Sequence, residues 1–329
     1  MRLILAILSL GCFVLQAQES KSFKGVNFTM TNRLTAATDI TPVVDLNANY
    51  ISIIPYAFVK DDKIVFDSKF QWIGEKTEGI KKCIELAQKD GLKVMLKPHV
   101  WIGHGTYTGD FKCTDPDNWA GFEKSYQEYI MHFVDIAVEY NVPAFCIGTE
   151  FASFIEARPA FWKGLIKEIK KKYKGKLTYA ANWDEFDKVP FWNQLDYIGI
   201  DAYFPLSSKP NPKISDLKYA WKVVIKALEK YSADIGKPIV FTEFGFKSST
   251  HCTIKPWEDS DKGKYSEKMQ KLAFQACFET IWKEEWFAGG FIWKWYHNHD
   301  KAGGKGDTDY TPQNKLAEET IKTYFKQNE

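Results

Sequence analysis

The sequence predicts a single-domain α/β fold, a (β/α)8 TIM barrel. Short apolar runs alternate with longer amphipathic ones eight times along the 329 residues. Several of the short runs are continuous and rich in β-branched or aromatic residues, such as Ile51-Ser52-Ile53-Ile54 and Ile239-Val240-Phe241. That suits parallel strands buried on both faces. No Gly-x-Gly-x-x-Gly turn follows the first run, which argues against an open doubly wound sheet built around a dinucleotide.

The strand candidates are Gly25–Thr29, Tyr50–Val59, Lys93–Val100, Ala144–Glu150, Leu177–Trp183, Tyr197–Tyr203, Pro238–Gly245 and Gly290–Trp295. Between them, Thr77–Lys89 reads as a helix stopped by Gly91. Asp117–Tyr140 carries Phe122, Tyr126, Tyr129, Ile130, Phe133 and Ile136 on one helical face. Pro159–Tyr173, Asp216–Tyr231, Ser266–Trp282 and Pro312–Phe325 follow the same logic, two of them opened by proline. Thr38–Asn47 and Phe186–Gln194 are weaker and read as short or partly 3₁₀. The Lys170-Lys171-Lys172 run closes a helix and complements its C-terminal dipole while facing water.

The N-terminus carries an export signal. Met1-Arg2 is basic, Leu3 to Leu15 is mostly apolar, and Ala17 offers a small residue before polar text. That run is too short to cross a bilayer comfortably and predicts a signal peptide over residues 1–17. Residues 18–329 then form the single barrel domain of a secreted or periplasmic protein, expected to be a monomer. Leu10-Gly11-Cys12 is an alternative lipid-attachment site, disfavoured by Ser9 and by the apolar run continuing past Cys12. No later stretch is apolar enough to span a membrane. Lys plus Arg number 44 and Asp plus Glu 42, so a net charge of +2 gives no pull toward nucleic acid or anionic lipid. Cys83, Cys146 and Cys277 sit in apolar periodic segments, whereas Cys113 and Cys252 sit in polar loop text. That last pair could bridge in an oxidising compartment or stay as free thiols.

In such barrels the chemistry gathers where strands end. Reading the ends in order gives Asn27, Tyr56, His99 with Trp101, Glu150, Asn182 with Trp183 and Asp184, Asp201 with Tyr203, Glu243, and Trp293 with Trp295. Two glutamates therefore close the apolar fourth and seventh strands, on opposite sides of the ring. A carboxylate there loses solvation and its pKa moves, so a pair of them points to acid–base work more than to capping or ion pairing. Cleaving a glycosidic bond needs such a pair, one to protonate the leaving oxygen and one to attack or to activate water. Asp201 and Asp184 compete, but Asp201 reads as a buried acceptor and Asp184 as a cap. Twelve Trp, 16 Tyr and 24 Phe supply flat faces on which sugar rings can stack.

Four motifs sharpen this: Lys97-Pro98-His99-Val100, Ile147-Gly148-Thr149-Glu150, Ile198-Gly199-Ile200-Asp201-Ala202-Tyr203-Phe204-Pro205 and Thr242-Glu243-Phe244-Gly245. In this order and spacing the chain resembles the β-mannanase-type family 113 glycoside hydrolases, within the clan of retaining barrel glycosidases. The resemblance covers essentially the whole mature chain. It implies Glu150 as acid/base, Glu243 as nucleophile, Tyr203 as hydrogen-bond donor to that nucleophile, and Trp293 as the floor of the sugar subsite. Trp101 and Trp183 are candidates for outer subsites. Thr149 stands where many clan members place an asparagine that holds the sugar 2-hydroxyl, and Asn182 could share that task. His99 lines the cleft. Neither His297-Asn298-His299-Asp300 nor His99 with His104 offers an evident third metal ligand, so no metal or cofactor is expected.

The implied function is retaining hydrolysis of β-1,4-mannosidic linkages in mannan, glucomannan or mannooligosaccharides. Another β-1,4-glycan on the same barrel, or a non-catalytic glycan-binding barrel, is the alternative; a binder would have no need of both glutamates. A substrate-assisted chitinase fits less well, because Gly148 stands two positions before Glu150 where those enzymes present aspartate.

Overall fold

The computed structural model describes residues 23–103, 105–113, 115–258 and 263–327. The segment predicted as a signal peptide, Cys12 and His104 lie outside the described residues. Eight parallel strands close into a barrel: β1 (Phe23–Phe28), β2 (Tyr50–Ile53), β3 (Lys93–Leu96), β4 (Ala144–Thr149), β5 (Lys176–Asn182), β6 (Ile198–Asp201), β7 (Ile239–Phe244) and β8 (Phe287–Trp295). They pair in chain order around the ring, and β8 returns to β1 through Gly25↔Phe291 and Val26↔Ile292. The (β/α)8 expectation holds.

The second and third apolar runs are shorter as barrel strands than their sequence suggests. Pro55 and Pro98 interrupt them; proline supplies no N–H to the ladder and fixes its own φ. Beyond the prolines the two chains leave the barrel and pair with each other, Tyr56↔His99 and Phe58↔Trp101. Lys63–Val65 adds an antiparallel third strand. This small sheet stands on the rim at the C-terminal ends of the barrel strands.

The outer layer holds α1 (Ala37–Asp45), α2 (Thr77–Lys89), α3 (Trp119–Glu139), α4 (Ala152–Ala157), α5 (Pro159–Lys172), α6 (Ile214–Ile235), α7 (Glu267–Phe278) and α8 (Leu316–Lys326). The weak first connection is a full α-helix despite Pro42, and the weak fifth is two 3₁₀ turns, Phe186–Lys188 and Trp192–Gln194. The helix expected over Ser266–Trp282 stops at Phe278 and gives way to a 3₁₀ turn over Ile281–Lys283. The last helix begins at Leu316 rather than Pro312, because Asn314 holds a left-handed φ of 57° that no helix can pass through.

Two cores result. Phe23, Tyr50, Met95, Cys146, Val240 and Phe291 fill the barrel interior. A larger shell between strands and helices buries Trp162, Trp192 and Trp221 almost completely. Truncating one of these to alanine would cost roughly 3–5 kcal/mol. Cys113 and Cys252 do not behave as loop thiols: both are buried in that shell, and no disulfide joins any of the five described cysteines. The proposed bridge is therefore absent, since hydrophobic packing beneath the loops has claimed both side chains. No helix among the described residues is long and apolar enough to cross a membrane.

Candidate active site

Glu150 follows the last residue of β4. Its backbone sits in the left-handed region at φ 54°, an uncommon conformation for a residue with a Cβ, and its N–H donates to the Ala180 carbonyl on β5 at 2.8 Å. Two residues earlier only glycine fits: a Cβ on Gly148 would lie 2.5 Å from the Tyr126 hydroxyl and 2.8 Å from Trp162. The turn is thus packed from behind, and the Glu150 side chain opens onto a cavity of about 550 Å³. Asn182, Glu185, Asp110 and Tyr179 line that cavity beside it.

Glu243 lies across the mouth on β7, paired in register with Asp201 on β6. It is almost wholly buried. One carboxylate oxygen, Oε1, accepts from the Lys97 ammonium, and the other, Oε2, accepts from the Tyr203 hydroxyl at 2.7 Å. Lys97 follows β3, is fully buried, and also reaches Asp201 Oδ1 at 3.5 Å. Thr242 donates to the same Asp201 oxygen at 2.7 Å. Asp201 is therefore the buried acceptor its sequence context suggests. Asp184 is exposed and no rival to the two glutamates.

Three carboxyls around one ammonium set the electrostatics. Burial pushes Glu150 well above the ordinary glutamate range, and repulsion from Asp201 and Glu243 adds to it, against the pull of Lys97. Burial, then Glu243, lifts Asp201 to about 7. For Lys97 burial disfavours the charge, yet the two carboxylates overcome it and hold the cation. His99 Nε2 lies 3.6 Å from Glu243 Oε1, but burial, then Lys97, depresses its pKa strongly. The imidazole is neutral there, and the contact is not an ion pair.

Trp293 faces this cluster. The His99 ring lies parallel to it, 6.1 Å between centroids, and the Lys97 and Lys294 ammonium groups both lie 5.9 Å from its face. Trp101 sits two residues beyond His99 on the rim sheet, edge-on to Phe58 and 40% exposed. Trp183 stacks on Trp257 at 5.0 Å and meets Phe204 edge-on. Thr149 is nearly buried, and its hydroxyl has no partner among the described residues. Asn182 Oδ1 accepts the Trp183 N–H at 2.9 Å, and the residue lines the cavity beside Glu150.

Some strand-end residues do not belong to the site. Asn27 donates to the Thr242 and Phe291 carbonyls at 3.0 and 3.2 Å, tying β1 to β7 and β8. Trp295 is fully buried core. The two late histidines do not converge: His297 pairs with Thr35 and His299 with Glu318. Among the described residues no group of three or more His, Cys, Asp or Glu side chains is placed to hold a metal ion.

Other residues were not foreseen. Lys97 had a signal, a cation ending the apolar run Val94-Met95-Leu96, which only a buried anion could justify. Tyr107, in the loop after the rim strand His99–Trp101, reaches the fifth-strand loop and donates to Glu185 at 3.3 Å; nothing in its loop text marks it. Trp257 sits in equally unremarkable text.

The family model for Glycoside Hydrolase Family 113 matches residues 24–315. The chain belongs to that family. As a family 113 enzyme it is a glycoside hydrolase. The family 113 β-mannanase AaManA from Alicyclobacillus acidocaldarius, solved with ManMIm, shares the fold at TM-score 0.80 and 23% identity, over 93% of this chain and 98% of that one. A second solved family 113 β-1,4-mannanase superposes at TM-score 0.77 with 24% identity, covering 93% and 99% of the two chains. The β-glucuronidase of Faecalibacterium prausnitzii is more distant, at 0.64 and 13%, and this chain spans about half its length, 49%. No curated protein sequence matches the chain.

From the sequence, a sugar ring is expected to stack on the part-exposed face of Trp293. Stacking of this kind contributes on the order of 1 kcal/mol beyond area burial. Trp293→Ala should raise KM and lower kcat on an oligosaccharide while the melting temperature, followed by circular dichroism, barely moves. A large stability loss with unchanged kinetics would make Trp293 a core residue instead.

Proposed function

We propose that this enzyme hydrolyses β-1,4-mannosidic linkages in mannan, glucomannan or mannooligosaccharides with retention of configuration, through a glycosyl ester on Glu243. The single observation that carries the reading is the opposite setting of the two glutamates. Glu150 is held protonated by burial and by two neighbouring carboxyls, which suits proton donation to a leaving oxygen. Glu243 is held from both oxygens by an ammonium and a phenol, which fixes a carboxylate facing the sugar.

In the first step a Glu243 oxygen attacks the anomeric carbon from one face as the glycosidic C–O bond breaks. The leaving oxygen takes the proton of Glu150. Glu150, now a carboxylate, removes a proton from water in the second step, and that water displaces Glu243 from the opposite face. In this reading Trp293 supports the ring, and Asn182, which lines the cavity beside Glu150, is the candidate to meet the sugar 2-position. The mannan preference draws on family membership and on the solved β-1,4-mannanases of the same fold.

A panel of β-glycans tests both halves. The mature protein should release reducing ends from mannan and mannooligosaccharides faster than from xylan or cellulose. Proton NMR of the first-formed product should show the β anomer. Preference for xylan overturns the substrate; initial formation of the α anomer overturns the mechanism and makes Glu243 a base that activates water.

A further inference from the structure

We propose that Lys97 is a counter-ion shared in time: it neutralises Glu243 before attack, and Asp201 takes it over while Glu243 is esterified. This rests on the reading of Glu243 as nucleophile and adds what the attack does to the charges around it.

Attack forms a bond between a Glu243 oxygen and the anomeric carbon, and the glycosidic C–O bond breaks. The leaving oxygen takes Glu150's proton, so the negative charge moves from Glu243 to Glu150 and Glu243 becomes a neutral ester. Lys97 keeps its proton throughout. Its side chain is wholly buried, so no water can replace the lost partner. A buried cation stripped of its anion is strongly disfavoured. Unless another anion stands ready, the ester forms at that expense.

Asp201 is so placed. Its Oδ1 already lies 3.5 Å from the ammonium, and its side chain is equally buried. Its Oδ2 is buried with no hydrogen-bond partner, so the carboxylate is not used up by its own surroundings. Asp201 and Glu243 are register partners on adjacent strands. Lys97 reaches them from β3, so a small swing of Nζ moves it from one to the other.

The other groups facing this cluster do not supply the anion. His99 is neutral, Tyr203 is a donor to Glu243, and burial drives the Cys146 thiol up to about 12. Lys294, also near Trp293, is engaged by Asp309 at 3.4 Å. Glu150 carries the new charge, but it must next accept a proton from water. In the resting site burial first, then the Glu243 charge, raises Asp201 to about 7. Esterification removes that second influence, so the Asp201 carboxylate already beside Lys97 is favoured as its partner once Glu243 turns neutral.

The test uses 2-deoxy-2-fluoro-β-mannosyl fluoride, which esterifies a retaining mannosidase and slows its release. In the wild-type enzyme, peptide mass mapping should find the label on Glu243. A label elsewhere, or none, sinks the nucleophile reading and this proposal with it. With Glu243 labelled, Asp201→Asn should be trapped about tenfold more slowly and should lose the label about tenfold faster, because the ester itself is destabilised. Rates within about twofold of wild type for both steps would overturn the proposal. So would both steps slowing together, which marks general support of the transition states.

Lys97→Met provides the second arm should Asp201→Asn fold poorly. It should slow trapping but leave reactivation at the wild-type rate, since no cation is stranded. Faster reactivation in Lys97→Met overturns the idea. Adding Asp201→Asn to Lys97→Met should then leave reactivation unchanged; an equal acceleration in both backgrounds would show that Asp201 acts independently of Lys97.

Discussion

Glu243→Ala should lower kcat on mannooligosaccharides by about four orders of magnitude or more, because no covalent intermediate can form. The loss should be similar for every leaving group, since the missing bond is to the anomeric carbon and not to the aglycone. Added azide can occupy the space vacated by the carboxylate and attack from the same face. The product is then α-mannosyl azide, of inverted configuration, provided the aglycone is a good leaving group such as dinitrophenol. Stability should not suffer. Glu243 repels both Asp201 and Glu150, and its removal leaves Lys97 with Asp201 as partner. Melting followed by calorimetry should therefore show a midpoint at or above that of the wild type. Residual activity within tenfold of wild type would mean that Glu243 is not the nucleophile, whatever its position in the barrel.

The two glutamates were legible because barrel topology converts a one-dimensional feature, the polar residue ending an apolar run, into a position on a ring. Tyr203 was legible for the same reason, and its 2.7 Å bond to Glu243 repeats what its motif implies. Lys97 stood inside a quoted motif yet received no role. A lysine near a strand end ordinarily extends to water; only the fold reveals that β3 faces β6 and β7 across the mouth, where two carboxylates wait. Backbone punctuation was underused in the same way. Pro55 and Pro98 stood in plain view, but that the segments beyond them would pair with each other depended on their neighbours in space. Asn27 and Trp295 show the converse error. Both end strands, but the Asn27 amide satisfies backbone carbonyls and the Trp295 ring is needed by the core. The thiols of Cys113 and Cys252 were misplaced because polar neighbours in sequence say little about what lies beneath a loop.

Glu150→Ala separates the two steps that Glu243→Ala abolishes together. On mannooligosaccharides, whose leaving alcohol needs a proton, kcat/KM should fall about a thousandfold, the range general acid catalysis supplies. On a dinitrophenyl β-mannoside the leaving group departs unaided, so the first step should proceed near the wild-type rate. Release of dinitrophenol should then show a burst followed by slow turnover, since no base remains to activate water against the ester. Azide needs no such base. It should restore turnover and give β-mannosyl azide, the opposite anomer from that expected of Glu243→Ala. The pH profile gives an independent check. Burial, reinforced by Asp201 and Glu243, raises the Glu150 pKa well above the ordinary range, and the acid is active only when protonated. Wild-type kcat/KM on an oligosaccharide should therefore fall as pH rises through that titration. Glu150→Ala acting on the dinitrophenyl substrate should lack this basic limb. An equal loss on both substrates, or α-mannosyl azide as the product, would show that Glu150 does not serve the leaving group and that its burial beside the cavity has another cause.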